Sequence, residues 1–203
     1  MTFQPLEQFF ERSQIGTWFP STRYISTNPS PCTFGPIDSE CMVKWRPVPR
    51  EMDAEQLVQS VLADVTTSKA DIDSLNDSFE SLIDIIQFTT SYWSGPVDCR
   101  FEDARLILDC GVWNEADLRR KMTTLRHTLH NSLASGHPTT VPIAWSANDS
   151  GYFVGLHSKT GEVLSGMSDA TDDHAECLAG SLTDFLSALR GVDGYFRETV
   201  QAF

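Results

Sequence analysis

Two groups of residues have types and spacing that could support nucleophilic or metal chemistry. His174 precedes Cys177 by three residues, as a cysteine–histidine nucleophile pair would require, and two aspartates come directly before the histidine. His127 and His130 are three residues apart on a predicted helix, so both could contact one metal, but no third ligand lies near them in the sequence. Because these patterns are also typical of a helix start and a solvated helix face, a hydrolase or metal enzyme is the weakest of three hypotheses.

The remaining cysteines and the glycines add no catalytic motif. Cys32 lies between Pro31 and Thr33 without a neighbouring cation to lower its pKa, which favours a packed thiol. The five cysteines are odd in number and contain no Cys-x-x-Cys pair, so they indicate reduced cytosolic thiols rather than a disulfide framework or a zinc site. No glycine-rich loop has phosphate-binding spacing. We therefore expect no catalytic residue, no metal and no cofactor.

The charge of the chain restricts its partners. The 203 residues include 28 acids and 15 lysines and arginines, a formal net charge of −13. Nucleic acids and anionic lipid surfaces repel such a chain, so its natural complement is a basic protein. The first residues resemble no signal peptide, and no stretch approaches eighteen consecutive apolar residues, so we expect a cytoplasmic protein that inserts into no lipid.

Four acids form a regular series in the middle of the chain. Asp73, Asp77, Glu80 and Asp84 are spaced by four, three and four residues, which places them on one face of a predicted helix. Like charges at these spacings repel each other by a few tenths of a kcal/mol per pair, and only Lys69 is near in sequence to offset them. One interpretation is a solubilising face. The other is a docking surface for lysine and arginine side chains, whose binding would relieve the repulsion.

The acidic region continues beyond these four residues. Residues 51–109 contain thirteen acids and only three bases. Among them, Asp98, Glu102 and Asp103 would extend the docking surface if their predicted hairpin lies beside the acidic helix. The sequence does not determine that placement.

The elements that must position these residues follow from hydrophobic periodicity and from start and stop signals. Asp53 and Asn114 are predicted helix N-caps, and Gly191 is predicted to end the last helix. Helices are predicted at 3–12, 54–65, 72–90, 115–134 and 175–190. Strands are predicted at 41–46, 141–145, 152–156 and 162–165, with a hairpin over 99–110 that turns at Glu102 and Asp103.

This order mixes helices and strands without regular βαβ alternation. It predicts an α+β fold in which a mostly antiparallel mixed sheet packs against several helices. At this length we expect one domain spanning residues 1–203.

Read together, the landmarks of the chain resemble those of the Syd family of SecY-interacting proteins, within the wider SUKH superfamily. The resemblance covers residues 17–190 and depends on the order of several short motifs. These are Ser30-Pro31-Cys32, the stretch from Val43 to Pro49, Phe88-Thr89-Thr90, Phe101-Glu102-Asp103, the stretch from Trp113 to Arg119, Pro142-Ile143-Ala144, Gly161-Glu162-Val163, Leu178-Ala179 and Asp184-Phe185-Leu186.

The resemblance implies a protein-binding module without catalytic activity. Such a module presents an acidic concave surface to basic cytoplasmic loops of the SecY channel, at the inner face of the bacterial inner membrane. Residues 65–81 look longer than the family pattern, and residues 193–203 extend beyond it. The wider superfamily also includes immunity proteins that neutralise bacterial toxins, so binding of a basic toxin domain is the second hypothesis.

Overall fold

The structure is a computed structural model that describes residues 3–13, 18–20, 30–34, 42–51, 53–65, 79–135, 140–149, 151–167 and 175–192. Its helices are α1 (Gln4–Ser13), α2 (Ala54–Val65), α3 (Phe79–Thr90), α4 (Glu115–Ser135) and α5 (Leu182–Ala188). Its strands are β1 (Trp18–Pro20), β2 (Thr33–Phe34), β3 (Met42–Trp45), β4 (Val48–Pro49), β5 (Tyr92–Trp93), β6 (Val97–Phe101), β7 (Ala104–Leu108), β8 (Thr140–Ser146), β9 (Tyr152–His157), β10 (Val163–Met167), β11 (Glu176–Ala179) and β12 (Arg190–Gly191).

Seven strands form the main sheet, in the order β11-β10-β9-β8-β7-β6-β12. Every neighbouring pair in it is antiparallel. The described residues also form a three-stranded sheet, β1-β3-β2, and a two-stranded sheet, β4-β5. A curled antiparallel sheet with helices packed against it confirms the predicted α+β class.

One face of the main sheet lies in the core. Leu108, Ala144 and Val154 stand directly opposite one another on β7, β8 and β9, and none is more than 1% exposed. Residues directly opposite in antiparallel strands point to the same face, so this row marks the buried side. Helices α1, α3 and α5 supply the largest completely buried side chains to the same core, namely Leu6, Phe9, Leu82, Ile85, Ile86, Phe88 and Phe185.

The other face of the main sheet is partly open to solvent. Ile107, Trp145 and Phe153 form the adjacent row on β7, β8 and β9. Trp145 is 39% exposed, and its two neighbours are half-buried. We call the side that carries this row the open face.

Local signals correctly predicted the starts of α2 and α4. The Asp53 carboxylate accepts a hydrogen bond from the Gln56 N–H at 3.0 Å, which caps α2. The Asn114 side chain accepts hydrogen bonds from the N–H groups of Ala116 and Asp117, both at 3.0 Å, which caps α4. Helix α2 and the β6–β7 hairpin match the sequence prediction closely.

The helix predicted at 175–190 is wrong. Residues Glu176–Ala179 form β11, which pairs with β10 at one edge of the main sheet. A short helix then begins after Ser181, whose hydroxyl oxygen accepts a hydrogen bond from the Asp184 N–H at 3.1 Å. Arg190–Gly191 is a strand paired with β6, so Gly191 does not end a helix. The apolar spacing suits a helix, but pairing with two distant strands is the stronger constraint.

In the part of the chain that the structure describes, no helix has the length and apolar character needed to cross a membrane.

Candidate functional site

The acidic series lies only partly within the described residues. Asp73 and Asp77 are outside them, as is the predicted start of the helix at 72–78. Glu80 belongs to the first turn of α3, and Asp84 is half-buried one turn later. The described part confirms a helix through Glu80 and Asp84, and the common face of all four acids stays a prediction.

Helix α3 begins near the β9–β10 turn. The Ser81 hydroxyl oxygen lies 3.2 Å from the position that a Cβ atom on Gly161 would occupy. Gly161 has a φ of +73° and lies in that turn. Glu80, which directly precedes Ser81, is therefore at the β9–β10 end of the sheet.

Glu102 and Asp103 lie at the opposite end of the sheet, in the β6–β7 turn. Both are exposed, and Glu102 has a left-handed φ of 50°. Strand β9 has six residues, so the two ends are separated by about 20 Å at 3.3 Å per residue. The structure therefore does not place this turn beside the start of α3.

One more acid, which the sequence prediction missed, lies at the same end of the sheet as the β6–β7 turn. Asp149 is exposed in the β8–β9 turn, and its carboxylate accepts a hydrogen bond from the Gly151 N–H at 3.0 Å. The two turns lie side by side because β7 and β8 are neighbours, and the Ala147 N–H donates to the Arg105 carbonyl at 3.0 Å. We call Glu102, Asp103 and Asp149 the acidic turns. The β6–β7 hairpin and the two strands β8 and β9 were predicted, but the adjacency of the two turns depends on sheet order.

Asp98 has a different environment from the exposed acids. Its side chain is 3% exposed, and its Oδ2 atom lies 3.0 Å from Nη2 of Arg105. The Arg105 Nε–H also donates to the same oxygen at 3.1 Å. Burial raises the pKa of Asp98 to about 6, against the opposing effects of Arg105 and, more weakly, Arg100. At neutral pH the carboxylate is mostly ionised and engaged with Arg105 within the fold.

This raised pKa predicts a pH-dependent stability. A folded-state pKa above the unfolded value favours the protonated carboxyl in the folded chain, so stability decreases as pH rises from about 4 through 6. We expect the wild type to lose about 2 kcal/mol relative to Asp98→Asn between pH 4 and 7. Urea unfolding of both proteins at several pH values measures this. A stability difference that does not change with pH would show that Asp98 titrates normally.

Three of the candidate thiols are buried and held in the protonated form. Burial raises the pKa of Cys32 to about 11 and that of Cys110 to about 12, and it also raises the pKa of Cys99. Ser30 Oγ lies 2.9 Å from the Cys32 sulfur, and the Cys32 carbonyl accepts a hydrogen bond from the Arg46 N–H at 3.0 Å. The Ser-Pro-Cys motif therefore joins two segments of the fold, and its thiol is a poor nucleophile at neutral pH. The fifth cysteine, Cys41, lies outside the described residues.

Among the described residues, the other candidate catalytic groups form no site, and the pairing of Cys177 with His174 stays an untested hypothesis. Cys177 is exposed on β11 rather than at a helix start, and His174 lies outside the described residues. His127 and His130 are exposed on α4. Within the described ranges, no group of three or more histidine, cysteine, aspartate or glutamate residues could hold a metal ion.

The stretch from Trp113 to Arg119 has a structural role at the start of α4. The Asp117 carboxylate accepts a hydrogen bond from the Trp113 N–H at 2.9 Å and forms an ion pair with Arg120. Lys121, one turn further on, donates to Asp109 and to the Gly111 carbonyl, both at 2.8 Å. These contacts fix the start of α4 against the end of β7.

A cleft of about 240 Å³ lies between α3, α4 and β8. Its apolar lining includes Ile85, Leu125 and Val141, and Trp145 lines it from the open face. Lys121, Arg120 and Asp109 contribute charged groups. The sequence contained no signal for this cleft, because its walls come from three separate segments.

Comparison with known protein families agrees with this architecture. The model of the family described as Syd protein (SUKH-2) matches residues 4–191. The chain belongs to the Syd family. The match begins earlier than the resemblance found from motifs and includes α1 as well as all seven strands of the main sheet. No curated protein matched the chain.

Hydrogen bonds in the structure give two of the motifs that resemble the Syd family a structural role. The Ser-Pro-Cys and Trp-Asn-Glu motifs of this Syd-family chain serve as interior contact and helix cap, as described above. The Syd and SUKH families are not known enzyme families.

Proposed function

We propose that the chain is a non-enzymatic protein-binding module that binds basic cytoplasmic loops of the SecY translocon at the inner membrane. The single observation that carries the proposal is membership in the Syd family over residues 4–191. In this proposal the protein is cytoplasmic and associates with the cytoplasmic side of the inner membrane through its protein partner. It needs no catalytic residue, metal or cofactor.

The charge distribution supports a basic partner. The net charge of −13 produces a field that attracts lysine-rich and arginine-rich loops and speeds their association. Within the described residues, the acidic turns are exposed at one end of the main sheet, and Glu80 and Asp84 belong to α3, which begins near the other end. We propose Asp73, Asp77, Glu80 and Asp84 as the primary contact surface. Glu102 and Asp103 would contact a second loop or a second part of the same loop.

Asp98 does not belong to this proposed contact surface. Its carboxylate is buried and bonded to Arg105, so a partner could reach it only by breaking that ion pair. Its contribution to binding is therefore indirect, through the position of the β6–β7 hairpin.

The proposal predicts a strong effect of charge reversal on α3. We expect Asp77→Lys with Glu80→Lys to weaken SecY binding by more than tenfold, because two attractive contacts become repulsive. The assay is a pull-down of SecY from solubilised inner membranes, repeated as ionic strength increases. Recovery should be high at low salt and should decrease steeply once the Debye length falls below about 10 Å.

A matched variant controls for net charge. Glu51→Lys with Glu176→Lys makes the same change in charge at exposed sites outside α3, and it should retain binding within about threefold. Equal loss in both variants would mean that only the overall field matters. Failure of the wild type to recover SecY at low salt would contradict the proposal, and capture of a basic toxin domain in the same assay would support the immunity hypothesis instead.

A further inference from the structure

The open face of the main sheet carries three arginines in a cross-strand row. Arg190 on β12 stands directly opposite Arg100 on β6, and Arg100 stands directly opposite Arg105 on β7. Directly opposite residues share a face, so the three side chains emerge on the same side, within about 10 Å across the strands. We call Arg190, Arg100 and Arg105 the arginine row.

The positive charge of the arginine row is only partly neutralised by Asp98, which pairs with Arg105 and acts more weakly on Arg100. Arg105 is 26% exposed and paired with Asp98, whereas Arg100 and Arg190 are exposed. Within the described part of the chain, neither exposed arginine forms a salt bridge, although Glu102 and Asp103 lie in the turn just beyond. Like charges directly opposite each other destabilise a sheet, so the row works against folding. The chain contains 28 acids, any of which could have stood opposite one of these arginines in place of another arginine.

An exposed apolar surface lies beside the row. Ile107 follows Arg105 by two residues on the same strand and face, and Trp145 stands directly opposite Ile107. Trp145 is therefore roughly 8 Å from the row, from one two-residue step along a strand and one step between strands. It is one of two exposed large apolar side chains in the described residues, and it also lines the cleft between α3, α4 and β8.

We propose that the arginine row and Trp145 form a second interaction surface, for an acidic segment of a partner protein that carries an apolar or aromatic residue beside its carboxylates. Guanidinium groups bind carboxylates with paired hydrogen bonds, which suits an arginine row better than a lysine cluster would. The apolar residue of the partner would contact Trp145 at the mouth of the cleft. The net charge of −13 disfavours an anionic membrane as the occupant, because a lipid surface would also face the rest of the acidic molecule.

This surface goes beyond the proposed SecY contact and has the opposite charge. A basic loop that binds the acids of α3 would be repelled by the arginine row. The two surfaces would let one copy of the chain contact a basic and an acidic partner at the same time.

Arg100→Glu tests the proposal because it separates binding from folding. The substitution places a carboxylate between Arg190 and Arg105, so both like-charged pairs become opposite-charged pairs. This gain offsets the new repulsion between the introduced carboxylate and Asp98, so thermal stability should be largely retained. Binding of an acidic segment should nevertheless decrease at least tenfold. The probe is a short fluorescein-labelled peptide that alternates glutamate with serine around one phenylalanine, and the readout is fluorescence anisotropy.

Three controls define the outcome. Lys159→Glu makes the same charge change at an exposed residue in the β9–β10 turn and should retain binding. A peptide with glutamine in place of each glutamate should bind at least tenfold more weakly. Trp145→Ala should weaken binding about fivefold, and Trp145→Phe should restore it, as expected for an aromatic contact.

Several results would overturn the proposal. The first is that the wild type does not bind the acidic peptide. The second is that Arg100→Glu binds the peptide as tightly as the wild type does. The third is that Lys159→Glu loses as much affinity for the peptide as Arg100→Glu does. Stronger binding to anionic lipid vesicles than to the peptide would assign the row to a membrane instead. Because Arg100→Glu removes no acid of the proposed SecY contact, the SecY pull-down should be retained or strengthened in this variant while peptide binding is lost, so failure of this proposal and failure of the proposed SecY binding would be distinguishable.

Discussion

Gly111→Ala is expected to lower the free energy of unfolding by about 3 kcal/mol or more, from a strained backbone and a steric clash together. Gly111 has a φ of +72°, a conformation that residues with a side chain rarely adopt. A Cβ atom there would lie 2.5 Å from the Tyr92 carbonyl oxygen and 2.9 Å from the Ser94 Cβ. Backbone atoms cannot move away as a flexible side chain can, so the surrounding structure must shift.

The contacts around Gly111 explain why such a shift would spread. The Gly111 N–H donates to the Phe88 carbonyl at 3.0 Å, at the end of α3. The next residue, Val112, exchanges backbone hydrogen bonds with Tyr92 and Ser94, both at 2.9 Å. Gly111 thus joins the end of α3 to the segment that leads into α4.

Alanine substitutions at two other glycines separate the cost of the backbone conformation from the cost of the steric clash in an equilibrium unfolding experiment. Gly161→Ala has the same left-handed conformation, with a φ of +73°, and meets only the Ser81 hydroxyl at 3.2 Å, so it should cost about 1–2 kcal/mol. Gly180→Ala has no atom within 4 Å and no positive φ, so it should change stability by less than about 0.5 kcal/mol. If Gly111→Ala costs no more than Gly161→Ala, the predicted clash is absent.

Phe185→Ala is expected to destabilise the fold by about 3–5 kcal/mol, because it creates a cavity where α5 packs on the sheet. Phe185 is completely buried, and the centre of its ring lies 5.2 Å from that of Phe101 on β6. Helix α5 has only seven residues, so its position depends on tertiary packing rather than on helix propensity.

Thr183→Ala is the matched control for Phe185→Ala. Thr183 is exposed on the same helix, and alanine has the higher helix propensity, so stability should change by less than about 0.5 kcal/mol. Urea unfolding followed by circular dichroism measures both variants. A loss below about 1 kcal/mol for Phe185→Ala would mean that α5 contributes little to the core.

Elements with local start and stop signals were predictable from the sequence. Asp53 and Asn114 cap their helices as expected, because an N-cap side chain satisfies N–H groups only two or three residues away. The segment over 175–190 was not predictable, because its apolar spacing fits a helix while its two ends pair with strands far away in sequence. Sheet edges of this kind are determined by non-local contacts that periodicity does not contain.

The candidate surfaces also divide into features that the sequence contains and features that depend on non-local contacts. The net charge and the acidic series are properties of the sequence, and the case for a basic partner rests on them and on the family. The separation of Glu102 from the start of α3, the burial of Asp98 and the alignment of Arg100 with Arg190 all depend on sheet order. Arg190 in particular was predicted on a helix, so the arginine row could not be recognised.

The two outer strands of the main sheet come from one short stretch of chain. Strand β11 forms one edge and β12 forms the other, and only α5 lies between them in sequence. A ribosome makes residues 176–191 after every other described strand, so β10 and β6 have no outer partner strand until that stretch is available. Completion of the sheet during synthesis is therefore a late step that pairs β10 and β6 with short outer strands of four and two residues, and a pause before residue 176 would leave β10 and β6 open to pairing with other chains.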